Sequence, residues 1–194
     1  MSTLDSEWSA YYAATRSRPP RELMVEALDY LDRREQALDL GAGALNDTKF
    51  LLAQGFDVTA VDVDPGVTQE AQRIMSPAFH LVISAYDQYQ FPSETFDLVS
   101  AQYALPFNAP DTFDQVIENI KKSLRVGGVF CGQFFGDRDE FKTLRHGMTF
   151  LTAVEAQAQL NGLTIMKFQE EEKDDRTATG GKKHWHVFHF IAKK

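Results

Sequence analysis

The sequence predicts an α/β fold: a mostly parallel sheet of seven strands, helices on both faces, and an antiparallel C-terminal hairpin strand. Three observations predict it. The run Ala37-Leu38-Asp39-Leu40-Gly41-Ala42-Gly43 delivers an apolar strand into a glycine turn. The run Ala60-Val61-Asp62-Val63-Asp64-Pro65 is a second apolar strand that ends on an acid. Short apolar runs then alternate with helical patterns as far as Phe135, which is the pattern of a parallel sheet wound with helices.

Each element follows from local chemistry. Leu4 to Tyr12 carries Trp8, Tyr11 and Tyr12 and is stopped by Arg18-Pro19-Pro20; it either folds over the mouth of a ligand site or packs against a neighbouring helix. Pro20 opens a helix in which Leu23, Met24, Ala27, Leu28 and Leu31 share one face. The first strand spans Gln36 to Leu40. The helix after the glycine turn starts at Asn46 or Asp47 and runs through Gln54, with Gly55 as its stop. The second strand is Asp57 to Val61, and Pro65 opens the next helix. Phe79 to Ser84 and Phe96 to Ala101 are the third and fourth strands. Pro110 opens a helix with Phe113, Val116, Ile117, Ile120 and Leu124 on one face; Lys121, Lys122 and Arg125 suit its negative end, before Gly127-Gly128. Val129 to Phe135 is the fifth strand, Val154 to Leu160 a helix, and Leu163 to Phe168 the sixth strand. The acid-rich stretch from Gln169 to Gly181 is expected to link it to a seventh strand, His186 to Ala192. Two late strands with no helix between them form an antiparallel hairpin.

Composition narrows the function. The 194 residues suit one domain over 1–194, with 1–19 as an N-terminal cap segment, and 43% of them are apolar. No apolar run is long enough to span a bilayer, and the N-terminus lacks the basic start and apolar centre of a signal peptide. The one cysteine, Cys131, falls on the fifth strand as a core residue. A cytoplasmic protein is expected. A formal net charge of −8, with only short basic clusters, disfavours nucleic acid and membrane partners and favours a small-molecule substrate. Oligomeric state has no signature in the sequence.

A strand, glycine turn, helix and strand ending on an acid form a nucleotide-binding unit, with the acid placed to accept ribose hydroxyls. Asp39 sits at the lip of the turn, where the pyrophosphate of a dinucleotide would meet a like charge, and Asn46 stands where the dinucleotide pattern has a third glycine. Both departures disfavour an NAD-linked oxidoreductase. A cofactor with adenosine at one end and cations at the other would be attracted, and S-adenosylmethionine fits that description. Asp62 is preferred over Asp64 for the ribose, and Asp64 is read instead as a cap of the helix starting at Pro65. Val63 is positioned to pack on adenine.

The run ALDLGAGALNDTKFLLAQGFDVTAVDVDP resembles the first two motifs of the class I S-adenosylmethionine-dependent methyltransferases. The segments YALPF at Tyr103 to Phe107, GGVFCGQFFGDRDE from Gly127 and the terminal KHWHVFHFIAKK resemble the branch that includes the tellurite-resistance methyltransferases. The resemblance implies a Rossmann-like sheet with an antiparallel last strand, and methyl transfer with S-adenosylhomocysteine as product. It assigns Asp39, Gly41, Ala42 and Gly43 to the methionine part of the cofactor. The family's adenine-binding acid falls in the column of Ala85, so either the neighbouring Asp87 takes that role or backbone groups of Ala85 and Tyr86 do. Asp87 is equally read as a solvated loop acid. Gln102 joins the cofactor set and, with Tyr103, orients an acceptor, while Phe107 walls the pocket. The alternative for this segment is a hydrophobic loop packed under the following helix.

Arg138 either binds an anionic substrate or bridges to an adjacent acid. His184 is a candidate for substrate contact. Tyr103, His146 and His186 are the candidates for a catalytic role. His184 and His186 share a strand face with no carboxylate at matching spacing, so no metal site is expected. No acid–base constellation stands out. That suits displacement from a sulfonium, already an activated leaving group. A non-catalytic protein that binds the same cofactor to regulate a partner would carry the same motifs.

Overall fold

The computed structural model describes residues 3–194. Helix α1 (Thr3–Thr15) precedes α2 (Glu22–Ala27), which tightens into a single 3₁₀ turn, Leu28–Tyr30. Then follow β1 (Gln36–Leu40), α3 (Asn46–Ala53), β2 (Asp57–Asp62), α4 (Val67–Ala71), β3 (Phe79–Ile83) and β4 (Phe96–Ala101). A 3₁₀ turn at Leu105–Phe107 leads to α5 (Pro110–Ser123) and β5 (Leu124–Gly136). The chain ends with α6 (Phe141–Leu144), β6 (Phe150–Leu151), α7 (Ala153–Ala158), β7 (Thr164–Arg176) and β8 (Lys182–Lys193).

Seven strands lie in the order β3-β2-β1-β4-β5-β8-β7, with the two-residue β6 pairing with the end of β5 off that path. The first five are parallel in register, and β8 runs antiparallel to both β5 and β7. This is the Rossmann-like sheet expected of the sequence. Side-chain alternation sends Leu38, Leu40, Val61, Val99 and Phe130 to one face, where the apolar stripe of α5 covers them. Ala37, Val58, Leu98, Val129 and Cys131 face the other way, under α2 and α3.

Three local departures have physical causes. The acid-rich stretch expected as a linker is instead strand: β7 continues to Arg176, and only residues 177–181 turn. An edge strand needs few apolar residues, and its polar side chains are held by opposite charges, as where Lys173 Nζ lies 3.0 Å from Glu171. The fifth strand begins at Leu124 rather than after the glycine pair. Gly127, at φ +80°, lies within a register shift between β4 and β5, so the glycines bend the strand instead of ending the helix. The N-terminal segment is a helix through Thr15, longer than the expected run.

At the amino-terminal edge of the sheet, Asp97 is almost fully buried. It accepts the backbone N–H of Glu35 and of Gln36 at 2.9 Å each, and the Arg33 Nε–H at 3.1 Å. Burial alone would raise its pKa, but these donors prevail and hold the carboxyl below the usual carboxylate range. Asp97→Ala therefore orphans two amides and should cost about 3 kcal/mol in urea unfolding. A lowered folded-state pKa means the wild-type advantage is present above the unfolded value and is lost as pH falls through the folded one. The two urea midpoints should therefore converge in acid.

Candidate functional site

Strand order reverses between β1 and β4, so the loops leaving their carboxyl ends diverge and a crevice opens there. A cavity of about 540 Å³ occupies it. Its floor is the turn after β1, where Gly41 and Gly43 take φ values of +70° and +50°. A Cβ on Gly41 would collide with Ala104 Cβ and the Tyr86 hydroxyl, so only glycine lets these three loops meet.

Asp62, at the end of β2, ties the floor together. Its carboxylate accepts the Gly43 N–H at 2.8 Å and the Asp64 N–H at 2.9 Å, while the group remains on the cavity wall. Burial raises its pKa, against the pull of those amides. Asp64 accepts the Gly66 N–H and the Tyr12 hydroxyl, each at 2.9 Å, so it caps the turn and anchors α1. Arg16 secures the same helix to the buried Glu70 at 2.6 Å, and Asn46 Nδ2–H donates to the Thr15 carbonyl at 2.8 Å. Thus α1 closes one side of the cavity with Trp8, Tyr11 and Tyr12.

The structure brings most of the expected cofactor set together. Gly41, Gly43, Asp62, Val63, Ala85, Tyr86, Asp87 and Gln102 all line the cavity, and Val63 is 56% exposed within reach of it. Asp39 and Ala42 line a small adjoining recess instead, shared with Asp47, Arg18 and Arg21. Strand alternation explains the position of Asp39: its side chain points under α3, where Thr48 Oγ1–H donates to it at 2.6 Å. Burial, then the neighbouring Asp47, push the Asp39 pKa up to about 7. Asp47 is itself raised by burial, while the Arg21 N–H, donated at 2.8 Å, opposes that.

Of the expected acceptor residues, Tyr103 and Phe107 line the cavity. Tyr103 is held at φ +57°, its N–H donated to Gln133 Oε1 at 2.7 Å. Gln133 in turn donates to Gln102 Oε1 at 3.0 Å, and Gln102 donates to Ser100 Oγ at 3.1 Å. The Arg21 guanidinium lies 4.8 Å over the Tyr103 ring.

The other candidates lie elsewhere. Arg138 pairs with Glu170 and Glu172 at 2.7 Å each, the bridging alternative rather than a cavity contact. His184 pairs with Asp174 at 2.7 Å and Glu172 at 3.1 Å. His186 is fully buried, bonded to Glu170 at 2.8 Å and packed against Gly136. The hairpin register puts both histidines opposite Asp174 and Glu172, on the face turned away from the cavity. Carboxylates do therefore meet His186, supplied by the paired strand rather than by its own; Glu170, Glu172 and His186 cluster there, with the Arg138 guanidinium bonded among them. His146 lies in a separate recess beside α5.

The opposite hairpin face supplies residues that motif reasoning missed. Glu171, Lys173 and Asp175 of β7 and Trp185 and Val187 of β8 line the cavity, together with Phe135 and Phe141. Odd-numbered positions across the pair share this face, a signal visible once the turn is placed at 177–181.

Residues 37–128 match the family model described as a methyltransferase domain. The fold is similar to 1,6-didemethyltoxoflavin-N1-methyltransferase from Burkholderia thailandensis, with TM-score 0.68 and 23% identity over 99% of this chain and 81% of that one. It is also similar to TehB from Haemophilus influenzae (TM-score 0.71, 18% identity, 88% of this chain and 61% of that one). A third is a SAM-dependent methyltransferase from Methanosarcina mazei (TM-score 0.70, 18% identity, 91% and 99%). At these identities the likeness concerns the fold. No curated protein matches the sequence. Residues 37–128 thus match a methyltransferase domain, and the sheet has the Rossmann-like methyltransferase fold. Among the described residues no helix is long and apolar enough to cross a membrane.

The raised Asp39 pKa has a consequence for the ligand-free protein. The folded state holds this proton more tightly than an unfolded chain, whose Asp titrates near about 3.9. Unfolding free energy should therefore fall as pH rises from there to about 7. Asp39→Asn keeps an acceptor for Thr48 without the charge. The ligand-free variant should melt above the wild type at pH 8, by a margin that shrinks to nothing near pH 4 in calorimetric scans.

Proposed function

We propose that the protein transfers the methyl group of S-adenosylmethionine to a small-molecule acceptor, on a single domain whose cap is α1. The observation that carries this reading is the one cavity in which the glycine turn, Asp62 and an aromatic wall meet. The residues suit the cofactor. Asp62 and Val63 offer a ribose acceptor and an apolar adenine contact, and Ala85 to Asp87 border the same end. The recess sets Asp39 and Asp47 beside Arg18 and Arg21, acids and bases together, as the ammonium and carboxylate of an amino-acid tail require.

Bound S-adenosylmethionine supplies a methyl carbon on a cationic sulfur, which an acceptor lone pair displaces in line as S-adenosylhomocysteine forms. This chain's contribution is to orient the acceptor and exclude water. Trp8 and Tyr11 from α1 and the turn at Thr177 to Thr179 border the cavity, and Arg18, just after α1, donates to the Ala178 carbonyl at 3.5 Å. Orientation of this kind is worth roughly 7–11 kcal/mol of barrier. A small-molecule acceptor suits a cleft of about 540 Å³, and the Burkholderia thailandensis neighbour is a structure with a small molecule, 1,6-didemethyltoxoflavin, bound.

Calorimetric titration with S-adenosylhomocysteine beside NADH tests the reading. Micromolar affinity for the first and none for the second is expected; NADH binding alone would overturn it. Asp62→Ala and Asp39→Ala should each weaken S-adenosylhomocysteine at least tenfold, about 1.4 kcal/mol, with circular dichroism unchanged.

A further inference from the structure

We infer that the methyl acceptor is a planar aromatic or heteroaromatic molecule, bound between aromatic walls on the hairpin side of the cavity. The inference rests on the methyltransferase reading above and names the substrate class of that site.

The walls come from separate parts of the chain. Tyr103, Phe135, Phe141 and Trp185 form one continuous surface: the Tyr103 and Trp185 ring centres are 6.1 Å apart, Phe135 and Trp185 5.8 Å, and Phe141 and Trp185 6.1 Å. Across the opening, Trp8 meets Phe107 edge-on at 5.9 Å. Edge-to-face packing within a wall leaves ring faces and edges directed at the space between, the surfaces on which a further ring stacks. Phe107 remains 38% exposed despite this contact, an apolar surface left open toward the cavity. A strongly hydrated oxyanion or a short aliphatic chain gains little from such walls, because its contact area is small or its desolvation is costly. A flat ring system gains over its whole face.

The Trp185 wall is built with unusual support. The Lys183 ammonium is buried, ion-paired to Asp139, and lies 3.7 Å from the Trp185 ring centre and 4.2 Å from that of Phe141. Asp139 also accepts the His186 N–H at 3.2 Å and the Phe141 N–H at 3.0 Å. One buried ion pair thereby holds two rings of the wall in place, a pre-organisation that raises affinity by removing ordering costs.

The acceptor's nucleophile is constrained too. The acids facing this end are already engaged: Glu171 with Lys173 at 3.0 Å and His189 at 3.3 Å, and Asp175 with Lys173 at 3.6 Å. No histidine lines the cavity among the described residues. The acceptor atom that attacks the methyl carbon is therefore one that carries a lone pair without help, such as a ring nitrogen or an ionised ring hydroxyl. That lone pair forms the new bond to the methyl carbon, the electrons of the broken carbon–sulfur bond return to sulfur, and any proton on the nucleophile leaves to water.

The sequence has two tryptophans, Trp8 and Trp185, and both line the cavity. The test is calorimetric titration of protein saturated with S-adenosylhomocysteine, using 2-naphthol, its saturated counterpart decahydro-2-naphthol, and tellurite. The aromatic alcohol should bind at least tenfold more tightly than the saturated one and change the tryptophan emission, and tellurite should give no heat. Phe107→Ala and Trp185→Ala should each remove the aromatic preference while S-adenosylhomocysteine affinity stays within twofold. Phe107, half exposed, provides a variant free of core disruption. Equal binding of the two alcohols, or tellurite binding alone, would overturn the aromatic acceptor and leave the cofactor reading intact. Failure of S-adenosylhomocysteine to bind would overturn both.

Discussion

Because β1 lies between β2 and β4, the chain must leave the carboxyl ends of β1 and β4 in opposite directions. Backbone cannot cover the gap between them, and every part of the site is a response to that gap. The glycine turn narrows it from below, at backbone angles a side chain would strain. Asp62 reaches across from β2 to hold the turn through the Gly43 N–H. The loop after β4 then seats Ala104 on Gly41, and the neighbouring Tyr103 is fixed by Gln133 of β5. Five parallel strands thus act on the site through the loops that end them.

The chain gathers more carboxylates at this point than a stable fold needs. Asp39, Asp47 and Asp62 are near one another, and burial raises the pKa of each. The nearby Tyr86 hydroxyl is raised as well, by burial and then by Asp62 and Asp39. Backbone amides, Thr48 and the nearby Arg21 offset part of this strain, but burial prevails at each of the three carboxylates. Titratable groups held away from their ordinary values in a cleft are the mark of a binding site. A cofactor that brings an ammonium and a sulfonium relieves that cost, so the electrostatics favour the ligand that the motifs imply.

The terminal hairpin has two faces with different roles. One carries Arg138, Glu170, Glu172, His184 and His186 in a network of ion pairs and hydrogen bonds, which gives an exposed edge strand its rigidity. The other presents Glu171, Lys173, Trp185 and Val187 to the cavity. The residues with the most conspicuous chemistry in the sequence, three histidines in a short run, therefore brace the wall or sit behind it. The tryptophan between them faces the ligand space.

The succession of strands and helices, the glycine turn, Asp62 and the loop after β4 were legible in the sequence, because each is set by neighbours close along the chain. Apolar period, turn chemistry and an acid at a strand end need no distant partner to be recognised. The hairpin length was not legible: β7 lacks an apolar pattern, and only pairing with β8 makes Gln169 to Arg176 a strand. Nor was the direction in which Asp39 points, which depends on α3 packing over β1. The placement of Arg138, His184 and His186 depended on one register, since in a strand each residue's face follows from its partner across the ladder. Local chemistry thus determined the end of the cavity proposed for the cofactor. The end proposed for the acceptor was decided by tertiary structure, because its walls come from α1, β5, α6 and β8, segments far apart in the chain that meet only when the sheet closes around the crevice.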